Sequence, residues 1–515
     1  MRNNVVKKVL AATLACMMTL SMATVAQAKG DKKSDKEITI GVTSFADTLE
    51  PTEQYFSWVV SRYAIGECLT KFDENGELIP CLAEEWENSD DGKTWTFKIR
   101  EGVKFSNGDD MTPEMVKASI ERTAEKSDRV PEFFDLDSLE VDGQNLIFHL
   151  NRANANMAGC LADPLFLIVD TNVDDSTFAM EGPICTGPYA VESFSPTDSC
   201  IVVKNENYWD GAPEIKSITV KNIGSDTKVD AMLSGDIDLA QGPDATALNR
   251  VENNDDINIV KVTGTRENDF ELNCREGNPL SDKNLRLALS YAVDRDVVAQ
   301  VAGNGYSSPI STAFPPSVGY DSEDVNGQVY DLDKAKECLE TAGYSDSDGD
   351  GIVDKDGENL SLTISIANGS STAVSETLQD MWKQIGVDVQ IEMLENVSDK
   401  RASGDFDMLV SPNWQTVNAG DGQKYLMNRW SDGGSDNYSG YHSDEFQSVL
   451  DKLDAAFTQE DRVSAFVEAQ QILADDAPAI WMYANDNVTL VNSKLENVTV
   501  FPIDYYLVTN KWTLA

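Results

Sequence analysis

A strand–turn–strand–helix unit within Pro80–Arg122 constrains the fold more than any other stretch of the 515-residue chain. Residues 88–92 are turn formers that tolerate left-handed backbone. After them, Trp95, Phe97 and Ile99 alternate with polar residues at the two-residue period of a half-buried strand. The pattern predicts a β-hairpin with one face on a hydrophobic core.

The same unit predicts a helix directly after the hairpin. Thr112 supplies a capping hydroxyl, and Pro113 suits the first helical position because its missing N–H needs no partner there. Val116 and Ile120 lie four residues apart, on one helix face. We therefore predict a helix from Pro113 to about Arg122.

Four sequence runs carry a resemblance to a known family. Leu82–Trp86 and Phe97–Phe105 lie in this unit, and Thr186–Tyr189 and Asn205–Trp209 lie beyond it. Together they resemble the extracellular solute-binding proteins of family 5, which serve ABC importers of peptides, nickel and opines. The resemblance extends over nearly the whole chain after its N-terminal segment.

The resemblance implies an α/β chain with the two-lobed periplasmic-binding-protein-like fold, in its type II, large cluster C form. The first lobe is then discontinuous, and the ligand lies in a cleft at the hinge. We expect lobe I at residues 38–265, with a hairpin-rich subdomain, lobe II at 266–480, and a return to lobe I at 481–515. Alternating strands and helices predicted between 360 and 475 agree with an α/β second lobe.

The N-terminal segment is typical of an export signal. Three basic residues precede an apolar run over 9–25, and Ala26-Gln27-Ala28 provides small residues for cleavage after residue 28. The alternative is a lipid-modified Cys16, which would leave a lipoprotein. No later run is long and apolar enough for a membrane span, so we expect the chain in the periplasm or at the outer face of the cytoplasmic membrane.

Composition excludes several classes of function. A formal net charge of −47 opposes binding to nucleic acid. With two histidines and no Cys-x-x-Cys pair, few residues are available for metal coordination or histidine-based catalysis. A disulfide between Cys160 and Cys185 is a possibility that the sequence leaves undecided. Catalytic motifs are absent, so we expect no enzyme; the alternative from another class is a secreted hydrolase with a carboxylate pair.

The segment after the strand predicted at 407–412 holds the strongest ligand-site candidates. Trp414 resembles the tryptophan that lines the pocket of nickel-binding relatives, and Asp421 resembles the aspartate that anchors the α-amino group in peptide-binding relatives. A carboxylate in a closed cleft forms a strong charge-assisted pair with an ammonium group.

Two further pairs are candidates for ligand contact. Asn437 and Tyr438 resemble a stretch near the pocket of nickel and metallophore receptors, and they offer amide and phenol hydrogen bonds. Trp58 and Arg62 lie four residues apart on a helix predicted at 54–68 and are predicted to share the face toward the cleft.

An acidic run at 346–357 partly fits a calcium loop. Asp346, Asp348, Asp350 and Asp354 occupy positions 1, 3, 5 and 9. Position 12 is Gly357, where such a loop needs a bidentate acid. A solvated acidic turn is the default interpretation, and calcium is the alternative; no other cofactor is expected.

These observations predict a receptor that captures a small solute by lobe closure and passes it to the permease of an ABC importer. We expect a monomer with a short peptide as its ligand. The alternative within the class is nickel or another metal carried by a small chelator.

Overall fold

A computed structural model describes residues 36–43, 45–320, 324–410, 413–417 and 420–515. The predicted signal peptide at 1–28 and Cys16 lie outside these residues, as does the predicted strand end at 411–412. Among the described residues, no helix is long and apolar enough to cross a membrane.

A mixed sheet of 12 strands forms the backbone of the molecule. Its order is β17-β16-β18-β12-β20-β11-β1-β10-β9-β8, with β13 beside β20 and β19 beside β12. The members are β1 (Glu37–Val42), β8 (Tyr189–Ser195), β9 (Ser199–Lys204), β10 (Ser217–Asn222), β11 (Leu239–Gln241), β12 (Ile257–Leu272), β13 (Ser307–Pro309), β16 (Ser361–Ala367), β17 (Asp388–Leu394), β18 (Met408–Val410), β19 (Trp414–Gln415) and β20 (Ala479–Asn492).

Two long antiparallel strands, β12 and β20, join the two halves of this sheet. β11 extends one half from β20, and β18 extends the other half from β12. The register of the pairing between β12 and β20 shifts between Thr263 and Glu267 of β12, and again between Asn268 and Asp269. The predicted boundary at 265/266 lies inside the first shift, and the division into lobes stays a prediction.

A separate sheet of four strands holds the predicted hairpin. Its order is β4-β5-β7-β6, with β4 at Ala83–Asn88, β5 at Thr94–Ile99, β6 at Leu136–Asp142 and β7 at Asn145–Leu150. Trp95, Phe97 and Ile99 are buried, as their alternation predicts. The remaining pairs are β2 (Thr70–Phe72) with β3 (Leu78–Pro80), β14 (Asp354–Lys355) with β15 (Glu358–Asn359), and β21 (Leu495–Glu496) with β22 (Thr513–Leu514).

Helices cover both halves of the large sheet. The α-helices are α1 (Ser57–Arg62), α2 (Pro113–Lys126), α3 (Met157–Cys160), α4 (Phe178–Glu181), α5 (Lys228–Ser234), α6 (Lys283–Tyr291), α7 (Arg295–Gly303), α8 (Leu332–Thr341), α9 (Ala373–Lys383), α10 (Val397–Ser403), α11 (Gln423–Trp430), α12 (Asp444–Asp454) and α13 (Gln459–Asp476). Short 3₁₀ helices lie at Val130–Glu132, Pro164–Phe166, Asp175–Thr177, Ala245–Arg250, Pro279–Ser281 and Pro316–Val318.

The start of α2 is confirmed, and its end is corrected. The hydroxyl of Thr112 accepts a hydrogen bond from the Met115 amide, and the helix runs to Lys126 rather than stopping near Arg122. The helix predicted at 54–68 is only six residues long, because Gln54 with φ +47° and Ala64 with φ +57° adopt left-handed conformations on either side of it.

One predicted helix is broken in two. Apolar spacing predicts a single helix over 284–300, but α6 ends at Tyr291 and α7 begins at Arg295. Asp294 stands between them in extended conformation, and its carboxylate accepts from the Val297 amide. The acid is therefore an N-cap rather than a mid-helix residue.

Candidate functional site

A cavity of about 560 Å³ lies between the four-stranded sheet and the segments that follow β19. Six of its lining residues are aromatic, and they come from distant parts of the chain. They are Phe72, Trp86, Trp95, Tyr320, Phe457 and Phe466. A concave, mostly apolar space of this size fits a small solute.

Asp421 lies in the wall of this cavity, where it is already paired. Its Oδ2 accepts from Nε of Arg462 at 3.0 Å and from Nη2 of the same guanidinium. Its Oδ1 accepts from the Gln423 amide at 2.9 Å, at the start of α11. Both side chains are buried. The structure thus gives Asp421 a scaffold partner, and its role as a ligand anchor stays a prediction.

Glu77 is the third charged residue lining the cavity, and sequence reasoning missed it. It follows the Asn75-Gly76 turn between β2 and β3, and the turn is held by Asp73, whose Oδ1 accepts from the amides of Asn75 and Glu77. The residue is exposed, and its carboxylate has no ion-pair partner within the described ranges. The turn signal was visible in the sequence, but the place of Glu77 in the wall of the same cavity as Asp421 was not.

Trp414 stands in the two-residue strand β19, beside β12. Its cross-strand neighbour is Glu267, and the guanidinium carbon of Arg429 lies 4.8 Å from its ring centroid. The indole Nε1 is buried and finds no acceptor among the described atoms. Trp414 does not line the cavity itself, but Thr265 and Val417, which both lie just beyond the Arg266–Gln415 end of this strand pairing, do.

An acidic face of β12 lies beneath this segment. Glu267, Asp269 and Glu271 occupy every second position and are almost fully buried. Arg429 donates through Nη1 to Glu267 and Asp269, and Arg401 lies 3.6 Å from Glu271. Burial, reinforced by the charge of Asp269, raises the pKa of Glu267 well above its usual range, and burial raises the pKa of Glu271. Acids at every second position over 267–271 are the sequence signal that could have identified this cluster.

Trp58 and Arg62 share a face of α1, as the four-residue spacing predicts. The guanidinium carbon of Arg62 lies 5.9 Å from the centroid of the Trp58 ring, and the ring centroids of Trp58 and Tyr505 are 5.1 Å apart. Arg62 is buried and donates to the carboxylate of Asp504 at 2.8 Å. It borders a second, smaller cavity of about 200 Å³. Contact of either residue with the ligand stays a prediction.

Asn437 and Tyr438 form a loop that is closed on itself. The Asn437 amide donates to the carbonyls of Ser431 and Tyr441 at 2.9 and 2.8 Å. Tyr438 packs against Arg401, whose guanidinium carbon lies 5.4 Å from the ring. Neither residue is in the wall of the 560 Å³ cavity. The side-chain amide of Asn437, which was predicted to face a ligand, therefore donates to backbone carbonyls of its own loop. A ligand role for Asn437 and Tyr438 stays a prediction.

The acidic run brings three carboxylates together. Ligand atoms of Asp346, Asp348 and Asp350 lie within 4.8 Å of one another, and all three residues are exposed. Asp354 does not belong to this group: its carboxylate accepts from the Ser347 amide at 2.8 Å, and that hydrogen bond lowers its pKa. Calcium at this loop stays a prediction.

The cysteines add no cross-link to the described structure. Cys160 and Cys185 are both buried thiols and are not joined. Burial raises the pKa of the Cys160 thiol to about 12, so it stays protonated at neutral pH.

Comparisons with known proteins agree with this architecture. The model of the family described as bacterial extracellular solute-binding proteins, family 5 middle, matches residues 77–437. The nickel-binding protein NikA of Staphylococcus aureus is 23% identical, over 93% of this chain and 95% of its own length. The oligopeptide-binding protein AppA of Bacillus subtilis is 28% identical, over 87% of this chain and 86% of its own.

Solved structures confirm the predicted fold class. The crystal structure of a nickel ABC transporter protein from Bacillus halodurans superimposes with a TM-score of 0.83 at 27% identity. It covers 93% of this chain and 100% of that one. Members of the matching family bind solutes outside the cytoplasm and do not transform them, which removes the secreted hydrolase. The chain belongs to the bacterial extracellular solute-binding proteins of family 5, and it is a binding protein rather than an enzyme.

Proposed function

We propose that this protein captures a short peptide, or a peptide-like amine, and delivers it to the permease of an ABC importer. The observation that carries the ligand class is the charge balance of the 560 Å³ cavity. Asp421 and Arg462 neutralise each other, whereas the Glu77 carboxylate has no described cationic partner. The cavity therefore favours a ligand that brings a positive charge.

The remaining walls suit a peptide with apolar side chains. Aromatic rings give large contact areas at low conformational cost, and a cavity of about 560 Å³ has room for a few residues. Every N–H of Arg462 that could hold a ligand carboxylate already has an acceptor, because Nη1 donates to Leu453 and Ala456 and Nη2 also reaches Gln423. We therefore expect recognition of the amino end.

Closure of the cleft is supported by contacts across it. Lys424 in α11 pairs with Glu132 at 2.9 Å, and Phe457 packs on the turn at Gly92. Gly420 touches the backbone of Gly159 and Cys160 in α3. These contacts join segments of the proposed lobe II, 266–480, to segments of the proposed lobe I. A hinge that makes and breaks them would trap and release the solute.

A nickel chelate is the second candidate ligand. The indole N–H groups of Trp58 and Trp414 are buried without a described acceptor. Carboxylate oxygens of a small chelator could accept from them, and several similar proteins are named as nickel-binding. Such a ligand would be held by these indole N–H groups and would not pair with Glu77.

A thermal-shift screen of the purified protein tests this proposal. The ligands are di- to pentapeptides, the same peptides with an acetylated amino end, and nickel with histidine. Binding raises the melting temperature by linkage. We expect free-amine peptides to raise it, acetylated peptides to do so less, and Glu77→Gln to abolish that difference. A rise with nickel–histidine alone would refute the peptide assignment.

We also propose that the mature protein acts as an exported monomer. Mass spectrometry of the natural N-terminus separates cleavage after Ala28 from a lipid on Cys16. Light scattering of the purified protein measures its oligomeric state.

A further inference from the structure

We propose that Arg429 is a positioning residue for ligand capture, because its guanidinium fixes the plane of the Trp414 indole beside the cleft. The expected effect on binding rests on the proposed function together with the prediction that Trp414 contacts the ligand. The geometry around Arg429 does not depend on that assumption.

Arg429 lies in a cage of three aromatic rings. Its guanidinium carbon is 4.8 Å from the centroid of Trp414, 4.5 Å from Trp430 and 6.0 Å from Tyr425. Only 1% of Arg429 is exposed, so water does not weaken these contacts. A desolvated cation over an aromatic face is attracted more strongly than an exposed one. This attraction therefore stabilises one orientation of the Trp414 indole.

Two carboxylates of β12 hold Arg429 in that place. Nη1 donates to Glu267 Oε1 at 3.0 Å and to Asp269 Oδ2 at 2.8 Å. The Tyr425 hydroxyl donates to the same Glu267 oxygen at 3.0 Å. Because Glu267 is also the cross-strand neighbour of Trp414, the strand and the guanidinium support the indole from two sides.

The strand that carries these acids passes between the two halves of the sheet. The register shift of β12 against β20 ends at Glu267, the first acid of the face. Thr265, two residues earlier, lies in the cavity wall and accepts a hydrogen bond from the Thr416 hydroxyl through its carbonyl. A movement of β12 at the hinge would thus reach Trp414 through Arg429 as well as through the backbone.

The protein contains its own matched control. Arg401 stands over the Tyr438 ring and faces Glu271, the third acid of the same strand face. It repeats the arrangement of carboxylate, guanidinium and aromatic ring without contacting Trp414. A lysine at either position keeps the positive charge. It loses the planar guanidinium, which stacks on an aromatic ring and donates forked hydrogen bonds to carboxylates.

The decisive experiment uses the ligand-free full-length mature protein labelled with 5-fluorotryptophan. The chain has 9 tryptophans, and Trp414→Phe identifies the fluorine signal of Trp414. We expect Arg429→Lys to shift and broaden that signal and Arg401→Lys to leave it unchanged. A folded Arg429→Lys protein with an unchanged Trp414 signal overturns the proposal. Should that variant fail to fold, Glu267→Gln is used in its place, because it weakens the ion pair that holds Arg429. The proposal then requires a shift of the Trp414 fluorine signal in Glu267→Gln, and an unchanged signal overturns it.

Binding of the tripeptide Ala-Phe-Ala gives the second readout. We expect Arg429→Lys to weaken its affinity by about fivefold or more, and the double variant with Trp414→Phe to be no weaker than Trp414→Phe alone, since neighbouring residues couple. Additive losses would overturn the proposal. If the unmodified protein does not bind the tripeptide, the proposed function fails, while the fluorine signals still decide the role of Arg429.

Discussion

Glu267 illustrates how a single buried carboxyl couples stability to pH. It faces Asp269 and Glu271 on its own strand, Arg429 and Tyr425 from α11, and Arg401 lies beyond Glu271. Burial and the charge of Asp269 raise its pKa, so the folded protein keeps this proton to a higher pH than the unfolded chain does. Stability therefore falls as pH rises from the ordinary value of about 4.3 through the raised one.

We predict that Glu267→Gln reduces this fall, because the amide does not titrate. Urea unfolding at a series of pH values from 4 to 8 measures the slope of the free energy of unfolding. Glu77→Gln, at an exposed carboxyl, is the control and should leave the slope as it is. An equal slope in Glu267→Gln and the unmodified protein would show that Glu267 does not carry the dependence.

Asp421 separates a structural role from a ligand role. Removing one partner of a buried ion pair leaves the other charge without compensation, which costs about 3–5 kcal/mol. Asp421→Asn should therefore lower the free energy of unfolding by about that amount, since Arg462 stays buried. Glu77→Gln should instead weaken binding of a free-amine peptide and change the free energy of unfolding by less than about 0.5 kcal/mol.

Denaturant titration and calorimetric titration of the two variants make this comparison. If Asp421→Asn keeps full stability but loses affinity for the peptide, the carboxylate anchors the ligand, and the assignment of Glu77 is wrong.

At the scale of elements, the contact between the loop at Gly420 and helix α3 tests closure. Gly420 has φ +92°, and a Cβ there would lie 2.1 Å from the carbonyl carbon of Gly159. Gly277 has φ +93°, and a Cβ there would meet nothing within 4 Å. Both alanine substitutions carry the same left-handed backbone strain, of about 1–2 kcal/mol, but only one adds a collision across the cleft.

We predict that Gly420→Ala favours the open form and that Gly277→Ala does not. Small-angle scattering should give a larger radius of gyration for Gly420→Ala in the presence of saturating ligand, and its affinity should fall below that of Gly277→Ala. Equal scattering curves and equal affinities for the two variants would mean that this contact does not limit closure.

Elements with local signals were predictable from the sequence, and those decided by tertiary contacts were not. Thr112 and Pro113 fix the start of α2 because capping is a local interaction. The early end of α1 depends on Ala64, whose carbonyl accepts from the Tyr189 amide, far along the chain. Likewise Asp421 was identifiable as a cavity candidate, but its partner Arg462 lies 41 positions away and only the folded chain brings them together.

At the scale of the whole molecule, charge determines how the ligand arrives. The chain carries a formal net charge of −47, and the one unpaired charge described in the cavity wall is the Glu77 carboxylate. A negative field raises the local concentration of cations and speeds their association, and salt screens it over a Debye length of about 10 Å at 0.1 M. The sign of the salt dependence therefore reports the charge of the ligand.

We predict that the association rate of a net-positive, free-amine peptide falls several-fold between 0.02 and 0.5 M NaCl, values that span screening lengths from well above to well below ~10 Å. Stopped-flow tryptophan fluorescence measures this rate, and the acetylated form of the same peptide, with one positive charge fewer, should show a weaker dependence. A negatively charged nickel chelate should show the opposite trend, because salt would remove repulsion. If association of the natural ligand speeds up as salt is added, the solute is anionic, and the tryptophan N–H groups rather than Glu77 are the groups that receive it.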